Sequence, residues 1–160
     1  MADQQLFIKM ALDGWNGYIK RTGDLFNSLS DEQLAKETAP GKNTGAYLLG
    51  HLIAVNDRII ELFSLGERLH PELDEPFLKS PDKSGLEVPA IPILRQYWAT
   101  LSETLTGYFN SMTADDWFAR HNAVTAEDFE KEPHRNKLNL LMNRTCHVAW
   151  HYGQVLYLKN

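Results

Sequence analysis

With 160 residues, 43% of them hydrophobic and 23% charged, the chain can bury one sizeable core and has the balance of an ordinary soluble globular protein. Its net charge is -5 and its Lys and Arg residues are scattered, so it carries no basic stripe for tracking phosphates, which argues against nucleic acid as a partner. The single cysteine, Cys146, permits neither an internal disulfide nor a paired-cysteine zinc or redox motif, and fits a reducing cytoplasm.

The opening stretch, MADQQLFIKMALDGW, lacks the basic, apolar and small-residue stations of a secretory signal. The most apolar run, AYLLGHLIAV, is about half of what a membrane-spanning helix needs, and His51 interrupts it. No membrane partner is expected. Residues 1–160 show no internal repeat, low-complexity tract or interdomain linker and read as a single domain.

Helical periodicity appears first over residues 3–21, with Phe7, Met10, Ala11, Gly14 and Tyr18 on one face. Within residues 22–43, Ser30 and Gln33 form a capping-box pattern, which predicts a short helix. A second long helix is expected over 44–65, carried by Leu48, Leu49, Leu52, Val55, Ile59 and Leu62. Asn43 or Thr44 caps its start and Gly66 ends it. Residues 66–91 hold Pro71, Pro76, Pro81 and Pro89 and read as irregular.

The third long helix, over 92–112, has the strongest apolar stripe: Leu94, Tyr97, Trp98, Leu101, Leu105, Tyr108, Phe109 and Met112. Pro92 suits its first turn. Thr113 is the expected cap of ADDWFAR, after which residues 113–135 turn polar. The last helix is expected over 136–158, with Leu138, Leu141, Met142, Thr145, Val148, Ala149, Tyr152, Val155 and Leu156 on a broad apolar face. No run alternates as a strand. Four long helices predict an all-α four-helix bundle whose connecting loops exceed the usual bundle length.

The last helix carries His147 and His151. Four residues advance about 400°, so the two rings lie about 40° apart around the axis and about 6 Å apart along it. Asn143 precedes them by one turn and Gln154 follows on the same side. Two readings are open: half-buried histidines with hydrogen-bonded tips, or ligands of one metal ion. A pair gives only two ligands, and a site normally needs three. His51, in LLGHLIAV, sits among core aliphatics where an ionisable ring costs stability without a partner, and offers the third. His70, His121 and His134 fall in polar or Pro-bounded connections and are expected to face solvent. Cys146 and the four tryptophans, Trp15, Trp98, Trp117 and Trp150, are read as packing residues.

Three neutral imidazoles suit zinc, nickel or ferrous iron and leave a position open for water or substrate. Val148, Ala149 and Trp150 separate the histidines, so the His-Glu-x-x-His zinc-protease pattern with its glutamate base is absent. The Glu-x-x-His pairs of di-iron bundles are absent too. Gln154 does not titrate near neutral pH and is restricted to orienting His151 or contacting substrate, a role open to Asn143 as well. Any reactivity therefore falls to a metal-bound water or a substrate thiolate.

GHL around His51, together with HVAWHYGQV in the last helix, resembles the DinB/YfiT-like superfamily, and the order and spacing of the four helices agree along nearly the whole chain. The resemblance implies a four-helix bundle with a divalent metal held by His51, His147 and His151, and commonly a homodimer. It also implies a small-molecule substrate, since characterised relatives include thiol-dependent transferases using bacillithiol or mycothiol and a thiol-dependent isomerase. Two functions follow as expectations. One is a metal-dependent enzyme, a thiol S-transferase or small hydrolase whose pocket is shaped by residues 66–91 and 113–135. The alternative is a non-catalytic, metal-stabilised binding or dimerisation protein, with the aromatic third helix as its dimer face.

Overall fold

Side-chain caps set where most of the helices start. The computed structural model describes residues 2–159. Its helices are α1 (Ala2–Ser28), α2 (Asp31–Leu34), α3 (Gly45–Leu62), α4 (Ile91–Ser111), α5 (Ala114–Phe118), α6 (Ala126–Lys131) and α7 (Lys137–Val155). Ser30 and Gln33 form the capping box of α2, and Thr44 accepts from the Tyr47 N–H at the start of α3. Thr113, Thr125 and Asn136 do the same for α5, α6 and α7. Helix α4 has no side-chain cap and starts with Pro92 in its first turn, where a missing N–H costs nothing. No strand occurs among the described residues; isolated bridges Glu37–Thr44 and Arg120–Asn136 pin two loops. The fold is all-α, as expected.

Four long helices form the bundle, in which α1 packs on α7 and α4, and α3 on α4 and α7. Helices α3 and α4 run parallel. Tyr47 at the start of α3 lines the same cavity as Ile91 and Leu94 at the start of α4, and Gly66 just beyond α3 lies against Tyr108 near the end of α4. Residues 63–90 must therefore travel back along the whole bundle, which is the reason for their length. Helix α7 runs the other way: Lys137 at its start lies over Phe63, and Leu158 just past its end packs on Gly45 at the start of α3.

Several boundaries and faces differ from the sequence reading. Helix α1 continues through Ser28, and its buried side is Ile8, Trp15, Thr22, Leu25 and Phe26, while Phe7 and Met10 are exposed. The apolar residues of α1 spread around more than half its circumference, and the bulk of Trp15 takes the inner position against Phe109. Helix α3 stops before Gly66: Ser64 adopts the left-handed conformation (φ 58°), and Leu65 N–H reaches the Ile60 carbonyl in a tight C-terminal cap. Asn122, from the third connection, donates to the Glu61 carbonyl and receives the cap role a nearer residue would otherwise fill. Residues 66–91 are not wholly irregular, since Pro71–Leu73 form a 3-10 turn and Glu75–Lys79 a π turn. Helix α6 lies in a stretch read as merely polar, and α7 tightens to a 3-10 turn over Leu156–Lys159.

Buried ion pairing organises the 66–91 connection. Asp57 of α3, fully buried, accepts from Arg68 Nε (3.0 Å), Leu69 N–H (2.9 Å) and His70 N–H (3.1 Å), and Arg68 grips Asp74 with both terminal nitrogens (2.6 and 2.8 Å). This pulls His70 inward, where it stacks on Tyr97 at 3.7 Å, so its expected exposure does not hold. His121 is also buried; His134 alone of the three faces solvent. The aromatic residues of α4 point largely into the protein, with Trp98 and Phe109 in the core and Tyr97 and Tyr108 half-buried. Trp15, Trp98 and Trp117 are packed as expected, but Trp150 is 64% exposed and Cys146 is exposed.

Candidate metal centre

The motif GHL on α3 is explained by one close approach. A Cβ on Gly50 would sit 2.3 Å from the Phe77 ring, so only glycine lets the π turn lie against α3 here. That places the Phe77 carbonyl 2.9 Å from His51 Nδ1. Tyr47, one turn earlier on α3, stacks on the His51 ring (6.3 Å, 11°) and donates from its hydroxyl to the Ser80 carbonyl at 2.8 Å. His51 is thus oriented by a carbonyl behind it and an aromatic ring beside it.

Across the bundle, α7 delivers His147 and His151. His151 is buried, and its Nδ1 lies 2.7 Å from Gln154 Oε1. The three Nε2 atoms converge: His147 Nε2 is 3.3 Å from that of His51 and 3.0 Å from that of His151. Asn143 is exposed and makes no hydrogen bond to the cluster among the described residues. The structure therefore brings together His51, His147, His151 and Gln154, and leaves Asn143 outside.

Counting protons decides what this cluster lacks. A carbonyl and an amide oxygen can only accept, so His51 and His151 carry their protons on Nδ1 and present bare Nε2 lone pairs to each other and to His147. Neutral His147 has one proton. On Nε2 it serves one lone pair well and leaves His147 Nδ1, which is buried without a partner, as an orphan acceptor. On Nδ1 it leaves three lone pairs facing one another. A further proton is resisted: burial, then the neighbouring His151 and His51 and the Arg144 charge, push His147 down to about 4. Burial likewise lowers His51 and His151, each only partly offset by its Nδ1 hydrogen bond. With His51 and His151 protonated on Nδ1, at most one proton lies among the three Nε2 atoms.

A divalent metal fits these three donors. Tetrahedral ligands about 2.0–2.1 Å from a zinc ion lie about 3.3 Å apart, close to the two spacings seen. Both outer imidazoles have the Nδ1 acceptors that metal-bound histidines typically use to fix their orientation. No carboxylate or cysteine joins the three histidines among the described residues, so the protein offers three neutral ligands and no anionic one.

Sequence reasoning missed the parts of this site that come from other elements or from outside the pattern. No local pattern singles out Phe77 or Tyr47; only Gly50 beside His51 signals a close neighbour. Trp150 stacks on the outer side of His151 (5.0 Å, 30°) while remaining largely exposed, so it forms part of the rim of the cluster. A largely apolar cavity of about 450 Å³ lies behind Tyr47 and Phe77, bounded by Pro81, Leu86, Ile91 and Leu94. It touches the two residues that orient His51, but not the three Nε2 atoms.

Comparison with known proteins agrees with the geometry. The sequence profile of the DinB superfamily matches residues 19–155, which include all three histidines. In structure the chain is similar to a conserved protein from Enterococcus faecalis, at 15% sequence identity and a TM-score of 0.64, covering 94% of this chain and 93% of that one. At that identity the likeness concerns the fold. No curated protein matches the chain.

Proposed function

The chain belongs to the DinB superfamily, and from that premise and its histidine cluster we propose that it is a divalent-metal-dependent enzyme, foremost a thiol S-transferase. One observation carries the proposal: three Nε2 lone pairs meet in a half-buried place with at most one neutral-state proton among them. His51, His147 and His151 would hold the ion. A divalent cation on three neutral ligands supplies a Lewis acid that lowers the pKa of a thiol or water brought to it.

The rest of the site favours a thiol over water. No carboxylate stands within reach of the cluster among the described residues to act as a general base, and Gln154, tied to His151, cannot take a proton. A thiol needs only to lose its proton to become a strong nucleophile, so it depends least on such a base. Hydrolysis of a small substrate is the companion reading within the same class. Around the cluster, Phe77 and Gln154 fix the ring orientations, and the exposed Trp150 indole gives a substrate a flat apolar face.

The missing base also favours a second reading, a bundle in which the metal serves stability and binding alone. Exposed Leu6, Phe7 and Met10 on α1 offer apolar surface to a second copy of the chain in either reading. Elemental analysis of tag-free protein prepared without chelators tests the common ground. About one equivalent of zinc, nickel or iron in the wild type, absent from His147→Ala, is expected; no metal even after reconstitution overturns both readings. A screen of small thiols against electrophiles then separates them, since metal-dependent turnover is expected of the enzyme and none of the structural bundle.

A further inference from the structure

Two arginines stand near the histidine cluster without a carboxylate of their own. Arg58 lies seven residues after His51 on α3, and Arg144 seven residues before His151 on α7. Seven residues are about 700°, within about 20° of two full turns, so each arginine shares the face of its histidine, about 10 Å along the axis. Because α3 and α7 run in opposite directions, both offsets point toward the same end of the bundle.

The two side chains are close enough to repel. Burial first, and then the Arg58 charge, lower Arg144 from its ordinary value. Arg144 stands one helical turn before His147, whose Nε2 meets that of His51 at 3.3 Å, which places it beside the cluster. Arg144 is half-buried, its Nε is buried without a partner, and neither arginine makes a hydrogen bond or ion pair with a described residue. Asp74 lies near Arg58, but it is gripped by both terminal nitrogens of Arg68. A half-buried guanidinium with a second one for a neighbour is unfavourable in isolation. It is more unusual in a chain whose net charge is -5, where acidic partners outnumber basic ones.

We infer that Arg144 and Arg58 form an anion subsite beside the three-histidine centre, and that the substrate presented there carries a carboxylate. The planar fork of a guanidinium donates bidentately to a carboxylate, and an anion between two such forks relieves their repulsion. The inference deepens the thiol-transferase reading and rests on it: the thiol end of the substrate would meet the metal ligands while its carboxylate meets the arginines.

A matched pair of probes tests this. Cobalt(II)-loaded protein is titrated with 3-mercaptopropionate and with 3-mercaptopropanol, and thiolate binding is read from the sulfur-to-cobalt absorption. The wild type is expected to prefer the propionate by about tenfold or more, as a charge-assisted pair allows. In Arg144→Gln that preference falls toward one, with cobalt stoichiometry kept and the propanol affinity changed much less. Arg58→Gln, at an exposed position, reduces the preference in the same direction and guards against a folding defect in the first variant. Equal preference in wild type and both variants overturns the inference. If neither thiol ligates cobalt, the thiol reading fails on its own, and the subsite is judged by malonate. A thermal shift with malonate in wild type that disappears in Arg144→Gln supports it, and no shift in wild type overturns it.

Discussion

Two polar clusters hang from α3 only six residues apart, and they are satisfied in opposite ways. At Asp57 every hydrogen bond closes within the chain: a buried carboxylate meets Arg68 Nε and two backbone N–H groups, and Arg68 is shared with Asp74. At His51 the outer contacts close, on the Phe77 carbonyl and Gln154, but the inner ones set acceptor against acceptor at 3.0 and 3.3 Å. The first cluster holds a long connection in place with what the sequence provides. The second is paired on its outside and sets acceptor against acceptor at its centre. Buried polar groups that a fold uses for itself are paired, and the histidine set, oriented and yet unpaired at its centre, is the exception that the proposed metal explains.

The comparison breaks most sharply by removing one member from each side. Asp57→Ala leaves Arg68 and two N–H groups without their acceptor, and a loss of about 3–5 kcal/mol is expected, read by urea denaturation. His147→Ala in metal-free buffer relieves lone-pair crowding rather than creating it, so its stability is expected to change by less than about 1 kcal/mol. Comparable losses in the two variants would mean that the histidines are paired for the fold's own sake.

Metal addition acts on one cluster alone. At about 100 times the dissociation constant, a bound ion adds about 2.7 kcal/mol to the wild type. For a chain of this length that is a rise of roughly 5–10 °C in Tm by calorimetry. Asp57→Ala is expected to show the same increment from its lower baseline, and His147→Ala none.

Gly50→Ala tests the join between the clusters and the 66–91 connection. The new Cβ would press on the Phe77 ring, costing about 1–3 kcal/mol and displacing the carbonyl that orients His51. Gln154→Ala removes the other orienting acceptor with little effect on folding; metal affinity by competition titration is expected to fall about 10–100-fold. An unchanged affinity there would show that the His151 proton needs no partner.

Trp150→Phe is the mildest change, within about 0.5 kcal/mol of wild-type stability because the indole is exposed. Its value is optical. Nickel or cobalt at the cluster lies close to the Trp150 ring, so part of the wild-type tryptophan fluorescence is expected to be quenched on loading, and that part should vanish in Trp150→Phe.

Much of this was legible beforehand, for a definite reason. Helix type and order depend on periodicity and caps within a few residues, and Ser30, Thr44 and Thr113 act as their local sequence dictates. The proximity of His147 and His151 follows from helical pitch alone. Which apolar face of α1 turns inward did not follow, because Leu6, Phe7 and Met10 are as apolar as Ile8 and Leu12, and only the competition for space around Phe109 selects Trp15. His121 and His70 looked exposed because their neighbours are polar; distant partners, among them Asp57 and Tyr97 in the case of His70, drew them in.

The sequence by itself determined an all-α chain of four long helices and the pairing of two imidazoles on one of them, because those properties are short-range. Tertiary structure decided that His51 meets that pair, that the Phe77 carbonyl holds the His51 proton on Nδ1, and that Arg58 and Arg144 arrive at the same end of the site. His51 and His147 stand 96 positions apart, and no local pattern fixes the register in which two antiparallel helices face each other. That register is set by the packing of the whole core, and with it the convergence of three imidazoles that could hold one metal ion.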